Sequence, residues 1–321
     1  MELSKKRLLV TGGGGFVGSH LVDELLSKNN EVVVADNFSE GQRKWVDDRA
    51  TVVETDLTDS KGVHSVVDSE FDAVFHLASH SDPNDDDPRR QFRANTTMTH
   101  ELLHAARESG IKKFAYTSSS TVYGEAPRPT PEDYAPLEPI SVYGASKLAD
   151  EGLLSTYAHS HGFTVWNFRF ANVVGPRLRG AVIPDFIEKL RDNPETLTIL
   201  GDGRQEKSYL HVEDCIDAMC HVIKNTTESE PNDSGTIHTY NLGTRTTTSV
   251  NRISEIVAEV LNVDPKFVYT GGDRGWVGDV PRMKLSIEKL VDIGWKPNME
   301  SETSVRKATE EISKELVESI K

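Results

Sequence analysis

The chain has 321 residues, 36 Lys and Arg against 51 Asp and Glu, and a formal net charge of −15, with a pI of about 5.2. That acidity argues against a nucleic-acid or anionic-membrane surface, where a basic field is needed. The length suits one large α/β domain or a domain with a smaller lobe. Two cysteines, Cys215 and Cys220, are five apart in an apparent helix and face different ways, so free thiols in a reducing compartment are expected. No membrane-spanning apolar stretch and no signal-peptide core is present, so the sequence predicts a cytoplasmic protein with no membrane partner.

In chain order, strands are expected over 7–11, 31–35, 51–54, 73–77, 112–117, 163–170 and 236–241. Helices are expected over 15–28, 60–68, 95–109, 142–161 and 213–223. Strands alternating with helices imply a doubly wound parallel sheet covered on both faces. After residue 171 Pro176, Gly180, Pro184 and Pro194 break the pattern into short pieces. The expected division is a nucleotide-binding part, 1–171 with 213–243 returning to it, and a smaller interleaved lobe, 172–212 with 244–321. Residues 79–90, with Asp85-Asp86-Asp87, read as a solvated acidic lid.

The first expected strand and helix are joined by Thr11-Gly12-Gly13-Gly14-Gly15-Phe16-Val17-Gly18. Gly12 permits the tight turn, Gly15 lets the backbone approach a pyrophosphate, and Gly18 lets helix and strand pack closely. Asp36 ends the second strand, 18 residues beyond Gly18, where a carboxylate accepts the hydroxyls of an adenosine ribose and repels a 2′-phosphate. The pattern therefore predicts NAD rather than NADP. Asp56-Leu57, after the third strand, could flank the adenine.

Tyr143 and Lys147 are one helical turn apart and share a face. An ammonium beside a phenol favours the phenolate and so makes a base of it. The pair follows the cluster Ser118-Ser119-Ser120. His100-Glu101-Leu102-Leu103-His104 matches the H-E-x-x-H zinc pattern, but no third ligand is identifiable, so no metal is expected.

With these residues in view, the chain resembles the extended short-chain dehydrogenase/reductases, specifically the NAD-dependent sugar-nucleotide epimerase/dehydratase group. The resemblance covers nearly the whole chain. It rests on residues 11–18, Asp36-Asn37, Asp56-Leu57, His76-Leu77-Ala78-Ser79, Asn95, residues 118–124 and residues 143–147. It continues through Arg169-Phe170-Ala171-Asn172, Gly175-Pro176-Arg177, Gly201-Asp202-Gly203, residues 209–214 and Gly278-Asp279-Val280-Pro281. Within the group it looks most like the UDP-glucose (UDP-galactose) 4-epimerases. Sugar-nucleotide dehydratases carry an Asp-Glu pair where this chain has Ser120-Thr121.

The resemblance implies a Rossmann-type fold and a reaction through a 4-keto sugar, with Tyr143 moving the proton, Lys147 lowering its pKa and Ser119 binding the reacting oxygen. It implies cofactor contacts from Gly12, Gly15, Phe16, Val17, Gly18, Asp36, Asn37, Asp56, Leu57, Leu77, Ala78, Ser79, Asn95, Ser118 and Phe170, besides Tyr143 and Lys147. For the UDP-sugar it implies Asn172 on the diphosphate, Thr198 and Leu200 at the base, Lys207 and Arg274 as cationic clamps, and Met283 on the sugar wall. Lys207 stands where relatives carry arginine, and the spacing Arg274-Gly275-Trp276-Val277-Gly278-Asp279 departs from the common Arg-Pro-Gly-Asp. N-acetylated substrates, a decarboxylase or net oxidoreductase of the same group, and a catalytically silent NAD-binding regulator stay open. A homodimer through the helices 95–109 and 142–161 is the family expectation.

Overall fold

The computed structural model describes residues 1–81, 87–226, 235–275 and 278–318. The chain begins with β1 (Arg7–Thr11), α1 (Phe16–Ser27), β2 (Glu31–Asp36), β3 (Thr51–Glu54), α2 (Ser60–Val66), β4 (Ala73–His76), α3 (Pro88–Glu108), β5 (Lys113–Ser119), α4 (Val142–His161) and β6 (Thr164–Phe170). It continues with β7 (Asn172–Val174), α5 (Val182–Asp192), β8 (Thr196–Ile199), β9 (Glu206–Lys207), β10 (Tyr209–His211), α6 (Val212–Asn225) and β11 (Thr236–Leu242). It closes with β12 (Thr248–Ser249), α7 (Val250–Leu261), β13 (Lys266–Tyr269), β14 (Arg282–Met283), α8 (Glu288–Asp292) and α9 (Ser301–Glu318).

The chain divides into two compact units. The first comprises residues 1–122, 142–169 and 219–240, and the second 123–141, 170–218 and 241–321. A seven-stranded sheet, in the order β11-β6-β5-β4-β1-β2-β3, belongs mainly to the first. The pairs β1–β2, β1–β4, β2–β3 and β4–β5 are parallel. The order reverses beside β1, where a doubly wound sheet opens a crevice at its carboxyl edge. Leu8, Leu9 and Val10 of β1 are wholly buried, as a central strand covered on both faces requires. The expected parallel α/β fold is therefore the observed one.

The second unit has its own core, built by Ile183, Phe186, Ile187 and Leu190 of α5, Ile253, Ile256 and Val257 of α7, and Val305, Ala308 and Ile312 of α9. His211 is wholly buried, its Nε2 2.9 Å from Glu311 Oε2, which fastens α9 to β10. Asp214 accepts hydrogen bonds from the backbone N–H groups of Asn298 and Met299, both 3.0 Å.

Three expectations are corrected. Helix α3 starts at Pro88, seven residues before the expected 95. Asp87 caps it by accepting from the Arg89 N–H, and Pro88 at the first helical position carries a preset φ. Pro184 does not interrupt the chain; it lies in the first turn of α5, where its missing N–H has no helical partner to lose. Residues 123–141 group with the second unit, not the first. There the Tyr123 hydroxyl donates to Asn241 Oδ1 at 2.8 Å, and Thr130 bridges to Leu285. Of the expected lid, 79–90, residues 82–86 lie outside the described residues, while Asp87 and residues 88–90 form the start of α3.

Gly18 governs how closely α1 packs on β1. A Cβ there would lie 2.0 Å from the Gly12 carbonyl oxygen. Gly18→Ala is expected to cost about 1–3 kcal/mol of stability by overpacking, read as a lowered melting temperature with a matching loss of copurified dinucleotide.

Candidate active site

The glycine turn is built as the sequence requires. Gly12 has φ +70°, a conformation L side chains rarely adopt, and its Cβ would meet Ala78 N at 2.5 Å. Gly15 is the N-cap of α1 and offers no side-chain cap, and no acidic residue stands in the first turn. The first N–H groups of α1 are thus left for an anion. Asp36 is buried. It accepts from Gly14 N–H at 2.8 Å through Oδ2 and from Phe38 N–H at 2.7 Å through Oδ1. Asn37 closes a local turn by accepting from Ser39 N–H, and Asp56 does the same with Thr58. Leu57 is buried, while Phe16, Val17, Leu77, Ala78 and Ser79 are half-buried. Phe170 is the last residue of β6. An uncapped helix start, a turn that excludes Cβ atoms and a strand-end carboxylate together fit a dinucleotide.

Two features here carry no sequence signal. The backbone after β2 folds over the turn: Gln42 N–H donates to the Gly14 carbonyl at 2.8 Å, and a Cβ on Gly41 would meet the Gly14 backbone at 2.7 Å. His80 Nδ1 also lies 2.9 Å from Glu40 Oε1, linking the segment after β2 to the segment after β4.

The polar atoms of Asn95 and Ser118, both expected beside the cofactor, also have partners within the protein. Asn95 Oδ1 accepts from His80 N–H at 2.7 Å, while its Nδ2 donates to the His80 carbonyl at 3.1 Å and to Ser146 Oγ at 3.0 Å. Its amide ties the segment after β4 to α4. Ser118 is 3% exposed and donates its hydroxyl to Glu151 Oε1 at 2.6 Å.

Ser119 ends β5, and Tyr143 and Lys147 lie in the first two turns of α4. Ser119 Oγ accepts from Thr121 N–H at 3.2 Å. Lys147 donates to the Thr117 carbonyl at 2.9 Å, and its Nζ lies 5.6 Å from the Tyr143 ring centroid and 4.8 Å from that of Tyr116. Burial pushes the Tyr143 phenol up to about 12; a hydrogen bond with Ser79 opposes this, and the carboxylates of Asp150 and Glu40 reinforce it. Burial pushes Lys147 down to about 8, against the carboxylates of Asp150 and Glu151. The sequence reading has Lys147 lowering the Tyr143 pKa; for the chain alone the direction is upward, with burial the largest cause.

Behind the pair lies a buried network. Arg169 grips Glu151 through a fork, Nε to Oε1 at 2.9 Å and Nη2 to Oε2 at 2.7 Å. Tyr116 donates its hydroxyl to Asp150 Oδ2 at 2.6 Å. His76 is buried, with Nδ1 2.7 Å from Thr11 Oγ1 and Nε2 3.1 Å from Thr99 Oγ1.

In the second unit Lys207 pairs with Asp279 at 2.5 Å. Arg274 Nη1 donates to the Asp279 carbonyl at 2.7 Å, while Nη2 pairs with Glu125. The Asn172 side chain hydrogen-bonds Tyr209. Thr198 is exposed, Leu200 is 50% exposed and Met283 is buried. His100 and His104 lie on α3, and His104 Nε2 is 3.3 Å from Glu108. Among the described residues no group of three or more His, Cys, Asp or Glu is positioned to hold a metal, and no helix is long and apolar enough to cross a membrane. Cys215 and Cys220 are buried and form no disulfide.

The His76 environment has a measurable consequence. Burial depresses its pKa from 6.5 to about 3. The unfolded chain therefore binds more protons between those values, and stability falls as pH drops from about 6.5 toward 3. His76→Gln is expected to flatten part of that slope in thermal melts collected across this range.

Comparison with known proteins accords with this geometry. Residues 8–243 match the NAD dependent epimerase/dehydratase family. A crystal structure of a UDP-galactose 4-epimerase superposes with a TM-score of 0.87 at 41% identity, covering 97% of this chain and 99% of that one. The UDP-glucose 4-epimerase of Lactobacillus helveticus is 30% identical, covering 92% of this chain and 93% of the relative. UDP-glucuronic acid decarboxylase 3 of Arabidopsis thaliana is 32% identical, covering 91% and 85%. On the strength of that match and the glycine turn, the chain belongs to the NAD dependent epimerase/dehydratase family, and its cofactor is NAD.

Proposed function

We propose that this chain inverts the C4 hydroxyl of a UDP-sugar, interconverting UDP-glucose and UDP-galactose. The observation that carries the reading is Lys147 on α4, 5.6 Å from the Tyr143 ring and bonded to the Thr117 carbonyl of β5, the strand that Ser119 ends two residues later. The epimerase likeness in sequence and structure supports it. So do Ser120 and Thr121, which occupy the place of a dehydratase Asp-Glu pair.

On this reading the glycine turn, the start of α1 and Asp36 hold NAD. Bound NAD supplies a hydride acceptor that gives back what it takes, so no net oxidation results. Tyr143 Oη takes the proton from the sugar 4′-oxygen and later returns one. Ser119 Oγ hydrogen-bonds that oxygen and relays the proton. Lys147 places a positive charge beside the forming phenolate. The raised Tyr143 pKa makes the phenol a poor base until further positive charge stands next to it, which restricts proton transfer to the loaded enzyme. Asn172, Lys207 and Arg274 of the second unit contact the diphosphate, Thr198 and Leu200 the base, and Met283 the sugar wall. The protein works in the cytoplasm as a homodimer.

The decarboxylase relative keeps a second reading in play, oxidation of a UDP-hexuronic acid at C4 followed by loss of its carboxylate. One experiment separates them. Incubation with UDP-glucose and no added NAD is expected to give UDP-galactose with no accumulating NADH. Conversion of UDP-glucuronic acid alone, or stoichiometric NADH, would overturn the epimerase reading. Tyr143→Phe is expected to lower kcat by about a hundredfold or more while bound NAD and melting temperature stay near those of the parent.

A further inference from the structure

We infer that Asp150, buried in α4, is the counter-ion of Lys147 and sets where on the pH scale the Tyr143–Lys147 pair works. The inference rests on the role proposed for that pair. Lys147 and Asp150 are 2% and 1% exposed. An ammonium buried to that degree needs an anion near it. Two carboxylates are available on α4, Asp150 and Glu151. Glu151 is committed: both its oxygens sit in the Arg169 fork, and Oε1 also accepts from Ser118. Asp150 is not. Its partners are neutral hydroxyls: Oδ2 accepts from Tyr116, over whose ring the Lys147 ammonium stands at 4.8 Å, and the Thr99 hydroxyl of α3 also hydrogen-bonds the carboxylate. Two cations and two anions make the cluster neutral, with Arg169 matched to Glu151 and Lys147 to Asp150.

A buried carboxylate whose hydrogen-bond partners are neutral hydroxyls still needs a cation to offset its charge, and Lys147 is the cation that remains once Arg169 is matched to Glu151. Around the cluster, Tyr116 comes from β5 and Thr99 from α3, and Tyr143, Lys147 and Glu151 share α4; His76 of β4, held neutral by burial, faces Lys147, and Glu40 after β2 faces Tyr143. The Asp150 charge raises the pKa of both Tyr143 and Lys147. It thereby keeps Lys147 cationic and holds back the phenolate. Because the pair is coupled, its pH limits belong to both groups together, and removing the charge moves both limits in one direction, toward lower pH.

The test uses Asp150→Asn, which keeps an acceptor for Tyr116, and Asp150→Ala, which does not. In the holoenzyme both are expected to move the two limbs of the pH–rate profile to lower pH by about one unit, the size of a single nearby charge in a protein interior. Asp150→Glu restores the parental profile. Independently of turnover, the Lys147 ammonium is followed by nitrogen-15 NMR and assigned with Lys147→Met. Its titration is expected near pH 8 in the parent and at lower pH in Asp150→Asn. A profile and a lysine titration both unmoved would overturn the inference, as would activity lost without a pH shift in a folded variant. If the protein proves inactive on UDP-glucose while the Lys147 titration still shifts, the epimerase reading fails and the counter-ion assignment stands.

Discussion

Lys147 is an ammonium at 2% exposure, and the arrangement of the first unit follows from keeping it there. A charge taken out of water is retained only if fixed groups replace the lost solvation. The Thr117 carbonyl at the end of β5 supplies one hydrogen bond, the Tyr116 ring supplies its negative face, and the carboxylates of α4 supply the charge. Each requires β5 and α4 to hold one relative position. The Arg169–Glu151 fork extends the requirement to β6, and Ser118 adds a second tie from β5. Asn95 does the corresponding work from α3, bonding Ser146 on α4 and both backbone groups of His80. The residues nearest the proposed chemistry are therefore also those that lock the sheet to its covering helices.

That double duty explains which parts were readable from the sequence. The glycine turn is a strong signal because backbone conformation and packing each exclude a side chain. Gly12 needs a positive φ, and Gly18 meets the Gly12 carbonyl. The Tyr143–Lys147 spacing is readable because one helical turn fixes their neighbourhood. The phenol's raised pKa was not readable. Spacing reports that two groups are close, and it says nothing of how much water either has lost. The protein partners of Ser118 and Asn95 were unreadable for a related reason. Both fall in motif runs associated with the cofactor, and only the fold shows their polar atoms engaged by Glu151, His80 and Ser146.

The second unit was harder to read because its helices carry few local stop and start signals. Ser249 caps α7, accepting from Arg252 N–H, but α5 begins without any side-chain cap and takes a proline into its first turn. What specifies α5, α7 and α9 is a shared apolar core, whose members lie far apart in sequence. Tertiary packing of this kind overrides local propensity, and a reading that weighs Pro184 as a breaker misses it.

The cations of the second unit bear on how an anionic ligand is held. Lys207, Arg274, Asp279 and Glu125 sum to no net charge, so a diphosphate placed here would exchange for, or share a cation with, a carboxylate already in place. The two exchanges differ in cost. Lys207 pairs with an Asp279 whose side chain is 6% exposed, and that carboxylate also accepts from Gly275 N–H at 3.1 Å. Removing the lysine would strand a buried charge. Arg274 pairs with a Glu125 that is 49% exposed, and a pair this open to solvent is held weakly. Of the two proposed clamps, Arg274 is then the one that can leave its partner, and Lys207 acts from where it stands. A lysine can do so where an arginine could not as easily. Its compact ammonium can bridge a carboxylate and a phosphate from one point, whereas a guanidinium fork committed to Asp279 would have to turn away from it.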